Sequence, residues 1–155
     1  MKKFCEDEGY DYWKFCKLAR EGQIEMGGQS PVRTGDYKYL YLHSNAEINK
    51  GCFILAKDRI EIGENSTLAY GVTVLTSANP NGPKNELAKL YPAMTAPVII
   101  GANCWIGANA TLLPGVTIGD FSIVAAGSVV TKSVPSGVLV AGNPAAIKKR
   151  LIRQD

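Results

Sequence analysis

Residues Ile100 to Val130 read IGANCWIGANATLLPGVTIGDFSIVAAGSVV, and the spacing within this stretch decides the fold. Ile100, Ile106, Leu112, Ile118, Val124 and Val130 are six aliphatic residues six positions apart. Four residues after each of the first five stands a second small or apolar side chain: Cys104, Ala110, Val116, Ser122 and Ser128. This is neither the 3.6-residue period of a helix nor the two-residue period of a long strand. A repeat of six with two inward positions describes one flat side of a coil that turns a corner after every side. Upstream, Leu42, Ile48 and Ile54 keep the same step, and after an eight-residue step Ile62, Leu68 and Val74 resume it, with Ser66 and Val72 at the second inward position. Glycine follows the aliphatic residue at Gly63, Gly101, Gly107 and Gly119, where the backbone must turn or meet another backbone closely. Three sides make a triangular coil, and each coil buries its aliphatics only against the coils above and below, so the stack needs a cap at each end.

Outward from this block the rhythm breaks once. Between Val74 and Ile100 the polar, Pro-rich start of TSANPNGPKNELAKLYPAMTAPVI interrupts the coil, so residues 76–98 are expected to bulge out as a loop. A loop of roughly 20 residues in a compact domain is usually either functional or disordered, and Leu87, Leu90, Tyr91 and Met94 give it enough apolar weight to pack against something, which favours an ordered loop. At the N-terminus, Tyr12, Phe15, Cys16 and Ala19 fall at helical spacing, with Gly22 placed to end the helix. Residues 1–40 are therefore expected to form a helix and connector, and 41–142 the coil. Asn143 and Pro144 read as the cap and first residue of a short basic C-terminal helix over 143–155 that carries Lys148, Lys149, Arg150 and Arg153.

Composition narrows the function classes. A chain of 155 residues with 46% hydrophobic content fits one folded domain. A formal charge of +3 lacks the concentrated basic footprint of a nucleic-acid binder. The opening MKKFCEDEGYDYW has no apolar leader segment and no later run reaches membrane-spanning length, so the expectation is a cytoplasmic protein without a membrane partner. Cys5, Cys16, Cys52 and Cys104 show no CxxC pairing and no His-rich company, which points to free thiols rather than a metal site or a disulfide framework.

The segment IGANCWIGANATLLPGVTIGDFSIVAAGSVVTKSVPSGVLVAGNPA resembles the hexapeptide-repeat acyltransferases, specifically their galactoside and maltose O-acetyltransferase branch, over roughly Ile60 to Arg150. The resemblance implies an all-β, left-handed parallel β-helix, an exception to the right-handed crossover rule for parallel strands. It implies a homotrimer, with acetyl-CoA as co-substrate in the groove between two subunits, a loop reaching across that groove, and a sugar-like acceptor. Residue by residue, Trp105 matches the tryptophan of the family's WIG motif, Ala126 and Gly127 the AGS segment along which pantetheine lies, and Thr131 with Lys132 a TK pair lining the cofactor. Lys149 falls where the family contacts the CoA nucleotide, and Asn49 near the acceptor pocket. The loop asparagines Asn81 and Asn85 are further acceptor-side candidates, although NP and NG dipeptides also mark turns by themselves.

One departure bears on the chemistry. The family's general base is a loop His, and the alignment puts Asn79 at that position, followed by the expected Pro80. An amide cannot accept a proton near neutral pH. The single His, His43, lies at the start of the first repeat, so acting as base would need a neighbouring subunit to deliver it. Three outcomes follow: acylation of an amine, which attacks without a strong base; use of another group, such as a water held by Asn79, Asn81 or Asp58; or a trimeric binding scaffold with no catalysis. A γ-class carbonic anhydrase needs three His ligands, and a nucleotidyltransferase-linked repeat domain needs a preceding nucleotide-binding domain for which this chain is too short.

Overall fold

The computed structural model describes the backbone of residues 24–26 and the full residues 39–80 and 84–151. The N-terminal helix expected from the sequence, and Asn81, lie outside them.

The chain winds through three parallel sheets in a fixed cyclic order. The first face holds β2 (Leu40–Leu42), β5 (Ile60–Ile62), β10 (Val98–Ile100) and β13 (Thr117–Ile118). The second holds β3 (Glu47–Ile48), β6 (Thr67–Leu68), β11 (Trp105–Ile106), β14 (Ile123–Val124) and β16 (Val138–Gly142). The third holds β1 (Ile24–Met26), β4 (Cys52–Leu55), β7 (Thr73–Leu75), β12 (Thr111–Leu112) and β15 (Val129–Val130). Corner one joins the first face to the second, corner two the second to the third, and corner three the third back to the first.

The aliphatic repeat sets the register between coils. Leu42 pairs with Ile62, Ile62 with Ile100 and Ile100 with Ile118, while Leu68, Ile106, Val124 and Val140 stack in the same way on the second face. All twelve repeat aliphatics are buried, each at 3% exposure or less. At roughly 1.5–3 kcal/mol per buried side chain they are the main source of stability. Buried hydroxyls stand where a corner needs an internal partner, as at Ser66, a second inward position, and at Thr76, two residues after Val74. Ser66 donates to the Gly101 carbonyl (2.6 Å) and accepts from the Cys104 N–H (2.8 Å). Thr76 donates to the Leu55 carbonyl and accepts from Lys57 and Asp58. Among the described residues no buried side-chain nitrogen or oxygen is left without a partner.

Corner one requires a left-handed backbone at one position per coil. Asn45, Asn65 and Asn103 supply it, with φ of 55 to 58° shared by the other non-glycine corner residues, and Asn45 donates its amide to Asn65 (3.1 Å). Asparagine tolerates this region better than other side-chain-bearing residues. In the next coil Phe121 takes the same place at φ 56°, an uncommon conformation for a bulky residue.

The C-terminal helix expected from the sequence is not formed. Residues 143–150 instead complete a β-hairpin: β17 (Ala145–Arg150) runs antiparallel to β16 around an Asn143–Pro144 turn whose peptide is cis. The reason is non-local, because β16 is the last strand of the second face and its free edge would carry unpaired N–H and C=O groups. A returning strand satisfies them, and Lys148, Lys149 and Arg150 then protect the new edge with charge. The loop at 76–98 is an arm. Its base is closed by β8 (Ser77–Ala78) pairing antiparallel with β9 (Met94–Thr95), and a four-residue helix α1 (Leu87–Leu90) lies within it. The apolar residues expected to pack do not bury themselves against their own chain: Leu90 and Tyr91 are 73% and 68% exposed.

Gly63 shows how tightly the coils approach, since a Cβ there would sit 2.4 Å from the Gly101 backbone. Gly127 has φ +70° but open space around it. Gly63→Ala is therefore expected to cost about 3 kcal/mol or more through forced backbone displacement, and Gly127→Ala only about 1–2 kcal/mol through its conformation. Urea unfolding midpoints of the two variants should rank in that order.

Candidate active site

Corner two stacks equivalent residues from five coils into a column. Asn49, Ala69, Gly107 and Ala125 each donate their N–H to the strand of the next coil, at Leu68, Ile106, Val124 and Val140 respectively. The next position along holds Lys50, Tyr70, Ala108, Ala126 and Gly142 in turn. Across Ala108 and Ala126 the corner is therefore nearly flat, and with Trp105, Ile123 and Leu139 on the adjoining second face it forms a shallow apolar groove. Trp105, 57% exposed, is the largest side chain on that wall. Of the residues singled out from the sequence, this groove brings together Trp105 and Ala126, with Gly127 at the turn beside them. Ala69 and Ala108 were not singled out; the signal available was their position one or two residues after a repeat aliphatic, at coil-related places.

The other cofactor candidates stand elsewhere. Thr131 and Lys132 follow β15 at corner three, so the width of the third face separates them from Ala126 and Gly127 in their own chain. Lys149 lies on β17 opposite Leu139, at the end of the second face, with Lys148 and Arg150 beside it. Asn49 is at corner two, in the first coil, where its side-chain amide donates to the Leu68 carbonyl (2.9 Å).

The arm also springs from corner three. Asn79 and Pro80 line a cleft with Leu90, Tyr91, Pro92 and Met94. That cleft shares no lining residue with the corner-two groove. Asn85 accepts a hydrogen bond from the Leu87 N–H (3.0 Å), which is the turn-forming role expected of such a residue ahead of a helix.

His43 is held on the first face. Its Nε2 meets Glu61 Oε1 at 2.7 Å, and the other Glu61 oxygen receives Nε and a terminal nitrogen of Arg59 at 3.0 and 2.7 Å. Arg59 in turn lies over the Tyr41 ring. Burial pushes the Glu61 carboxyl up, but the hydrogen bonds from His43 and Arg59, together with their charges, outweigh it and leave the group below its usual range. Cys52 and Cys104 are buried free thiols, and burial pushes both above the usual thiol range, the pattern of structural rather than reactive cysteines.

A three-faced parallel solenoid with a side arm and a small-residue corner defines a narrow class of protein. Residues 97–132 match the family described as the hexapeptide repeat of succinyl-transferase. The chain is 38% identical to nodulation protein L of Rhizobium meliloti, over 96% of this chain and 82% of that protein. It superposes on a maltose O-acetyltransferase from Clostridium difficile 630 with a TM-score of 0.71 at 31% identity, covering 92% of this chain and 78% of that one. A hexapeptide-repeat acetyltransferase from Vibrio cholerae O1 biovar eltor, complexed with acetyl coenzyme A, gives 0.71 at 28% identity, covering 92% and 79%. The chain belongs to the hexapeptide-repeat acetyltransferase family. It spans 58% and 62% of the length of two further curated relatives it matches.

The Glu61 cluster gives a pH test. A carboxyl held below its unfolded value of 4.5 contributes stability that is fully present above that value and is lost as pH falls through the lower, folded value. Glu61→Gln removes this contribution, so the drop in urea midpoint between pH 7 and pH 3 should be smaller in the variant. An unchanged drop would mean that the cluster contributes nothing to acid sensitivity.

Proposed function

We propose that this chain is an acetyl-CoA-dependent acetyltransferase acting on a hydroxyl or amine of a sugar-like acceptor, with active sites formed between the subunits of a homotrimer of left-handed coils. One observation carries the reading: the candidate cofactor residues divide between two corners of the prism. Trp105, Ala126 and Gly127 stand at or beside corner two, whereas Thr131, Lys132 and the arm bearing Asn79 stand at corner three. A cofactor touching both sets needs corner two of one subunit to face corner three of the next. Repeated head-to-tail packing of that kind closes into a ring. The exposed Leu90, Tyr91 and Met94 of the arm then have a neighbour to cover them, as apolar patches of this sort require.

The groove fits a pantetheine arm. Its floor carries methyl groups and hydrogens at Ala108, Gly107 and Ala126, and its wall is the Trp105 ring, so a slender chain can lie close to the backbone. Lys148, Lys149 and Arg150 at the end of the second face offer cations to the phosphates. In the reaction the acceptor nucleophile attacks the thioester carbonyl, a C–O or C–N bond forms, the C–S bond breaks, and the sulfur leaves to become the CoA thiol. The acceptor proton must also leave. Asn79 cannot take it, but its amide can orient a nucleophile or a water, with Asn49, Asn81 and Asn85 as further acceptor-side groups. An unprotonated amine attacks first and loses its proton afterwards, so amine acceptors demand least of this site.

Thiol release from acetyl-CoA, measured with methyl galactoside and with glucosamine, is expected to be faster with the amine. Asn79→His should raise hydroxyl transfer by about 10²-fold or more, the contribution of a positioned general base. Absence of thiol release from both proteins, together with absence of CoA binding, would remove the acetyltransferase reading in favour of a binding scaffold.

A further inference from the structure

The corner-two column ends abruptly. Going from the C-terminal coil toward the N-terminus, the equivalent positions are Gly142, Ala126 and Ala108, and then Tyr70. Three coils offer a hydrogen or a methyl group, and the fourth offers a phenol that is 64% exposed. The trough is therefore open at one end and closed at the other.

Charge gives the trough a direction. Lys148, Lys149 and Arg150 sit on β17, the last strand of the stack, with Lys149 and Arg150 opposite Leu139 and Val138, so a phosphate-bearing ligand lays its nucleotide toward the C-terminal end of the stack. Length then fixes where its other end falls. Neighbouring parallel strands are about 4.8 Å apart, so the three steps from Gly142 to Tyr70 span about 14 Å. A pantetheine arm, a chain of single bonds and two amides, reaches roughly 14–17 Å from phosphorus to sulfur when extended. An arm that enters the trough at Gly142 brings its sulfur to the coil of Tyr70.

We propose that Tyr70 marks the reacting end of the groove and is the residue against which the acetyl-thioester of bound acetyl-CoA rests. This inference rests on the acetyltransferase reading and adds to it a position and a residue. The backbone there is braced from the coil below: the Asn109 N–H donates to the Tyr70 carbonyl (2.9 Å). The Asn109 side chain also fills the space over Gly71, where a Cβ would lie 2.3 Å from its Oδ1. A braced aromatic at this point can pack its ring on the acetyl group and offer its hydroxyl to the thioester oxygen as negative charge develops there. Asn49 lies one coil further along the same corner, which places an acceptor-side candidate just beyond the thioester.

The test places a thiol at this position. In a Cys5→Ser, Cys16→Ser background, with Cys52 and Cys104 left in the core, Tyr70→Cys is mixed with CoA disulfide. The protein thiolate attacks one sulfur of the disulfide, a protein–CoA disulfide forms, and one CoA leaves as thiol, so no further oxidant is consumed. Phe121→Cys, on the exposed residue of corner one, is the comparison. Labelling of Tyr70→Cys, followed by intact mass, is expected to be at least about tenfold faster, because binding holds the two sulfurs together. Excess acetyl-CoA should abolish the advantage. In parallel, Tyr70→Ala is expected to weaken acetyl-CoA binding several-fold by calorimetry while leaving 3′,5′-ADP, which lacks the arm, unchanged. If the starting protein binds CoA but Tyr70→Cys reacts no faster than Phe121→Cys, or if Tyr70→Ala weakens both ligands equally, the placement of the thioester is wrong and the acetyltransferase reading survives. If the starting protein binds no CoA, both are overturned.

Discussion

The structure depends on one constraint, the stacking of aliphatic residues in register from coil to coil. A single coil of three short sides cannot bury its own inward side chains, so Ile62, Ile100 and Ile118 are covered only because they lie over one another, and the same holds for Leu68, Ile106 and Val124. Once the inward residues are locked, everything between them is locked too. Corners fall over corners, left-handed positions over left-handed positions, and outward residues into columns. A groove along a corner is then a consequence of register: it needs only small residues at the same place in successive coils.

That dependence explains which parts were legible in the sequence. The coil was, because Ile100 through Val130 repeat without interruption and no competing structure accommodates the step of six. The arm was legible as an interruption, but its closure by β8 and β9 was not, since two-residue strands carry no periodic signal. The C-terminal segment was misread for a physical reason. Asn143–Pro144 followed by Lys and Arg satisfies the local rules for a helix start, yet the unpaired edge of β16 is a tertiary demand that local rules do not contain.

The arrangement of the candidate residues in space was not legible in the sequence. Gly127 and Thr131 are four residues apart, which in the sequence suggests one cluster. In the fold β15 lies between them and crosses the whole third face, so they belong to different corners. Tyr70 and Ala108 escaped notice for the opposite reason: they are 38 positions apart, with the arm inserted between them, and become neighbours only because Leu68 pairs with Ile106. Proximity along this chain is a poor guide to proximity in space, except at multiples of one coil.

The solenoid also constrains how chemistry can be done on it. Its interior is filled with aliphatic side chains and satisfied hydroxyls, so no pocket can be cut inward without breaking the stack. Reactive groups must therefore be borne at corners or on an arm, and a closed site must be assembled from two surfaces. In such a design the two halves can change independently. An arm residue such as Asn79 is exposed and belongs to no repeat, whereas Gly107 is restricted by the coil it touches, where a Cβ would lie 2.5 Å from the Ala126 nitrogen. The arm is thus free to vary while the inward and closely approached positions of the coil are held by the fold.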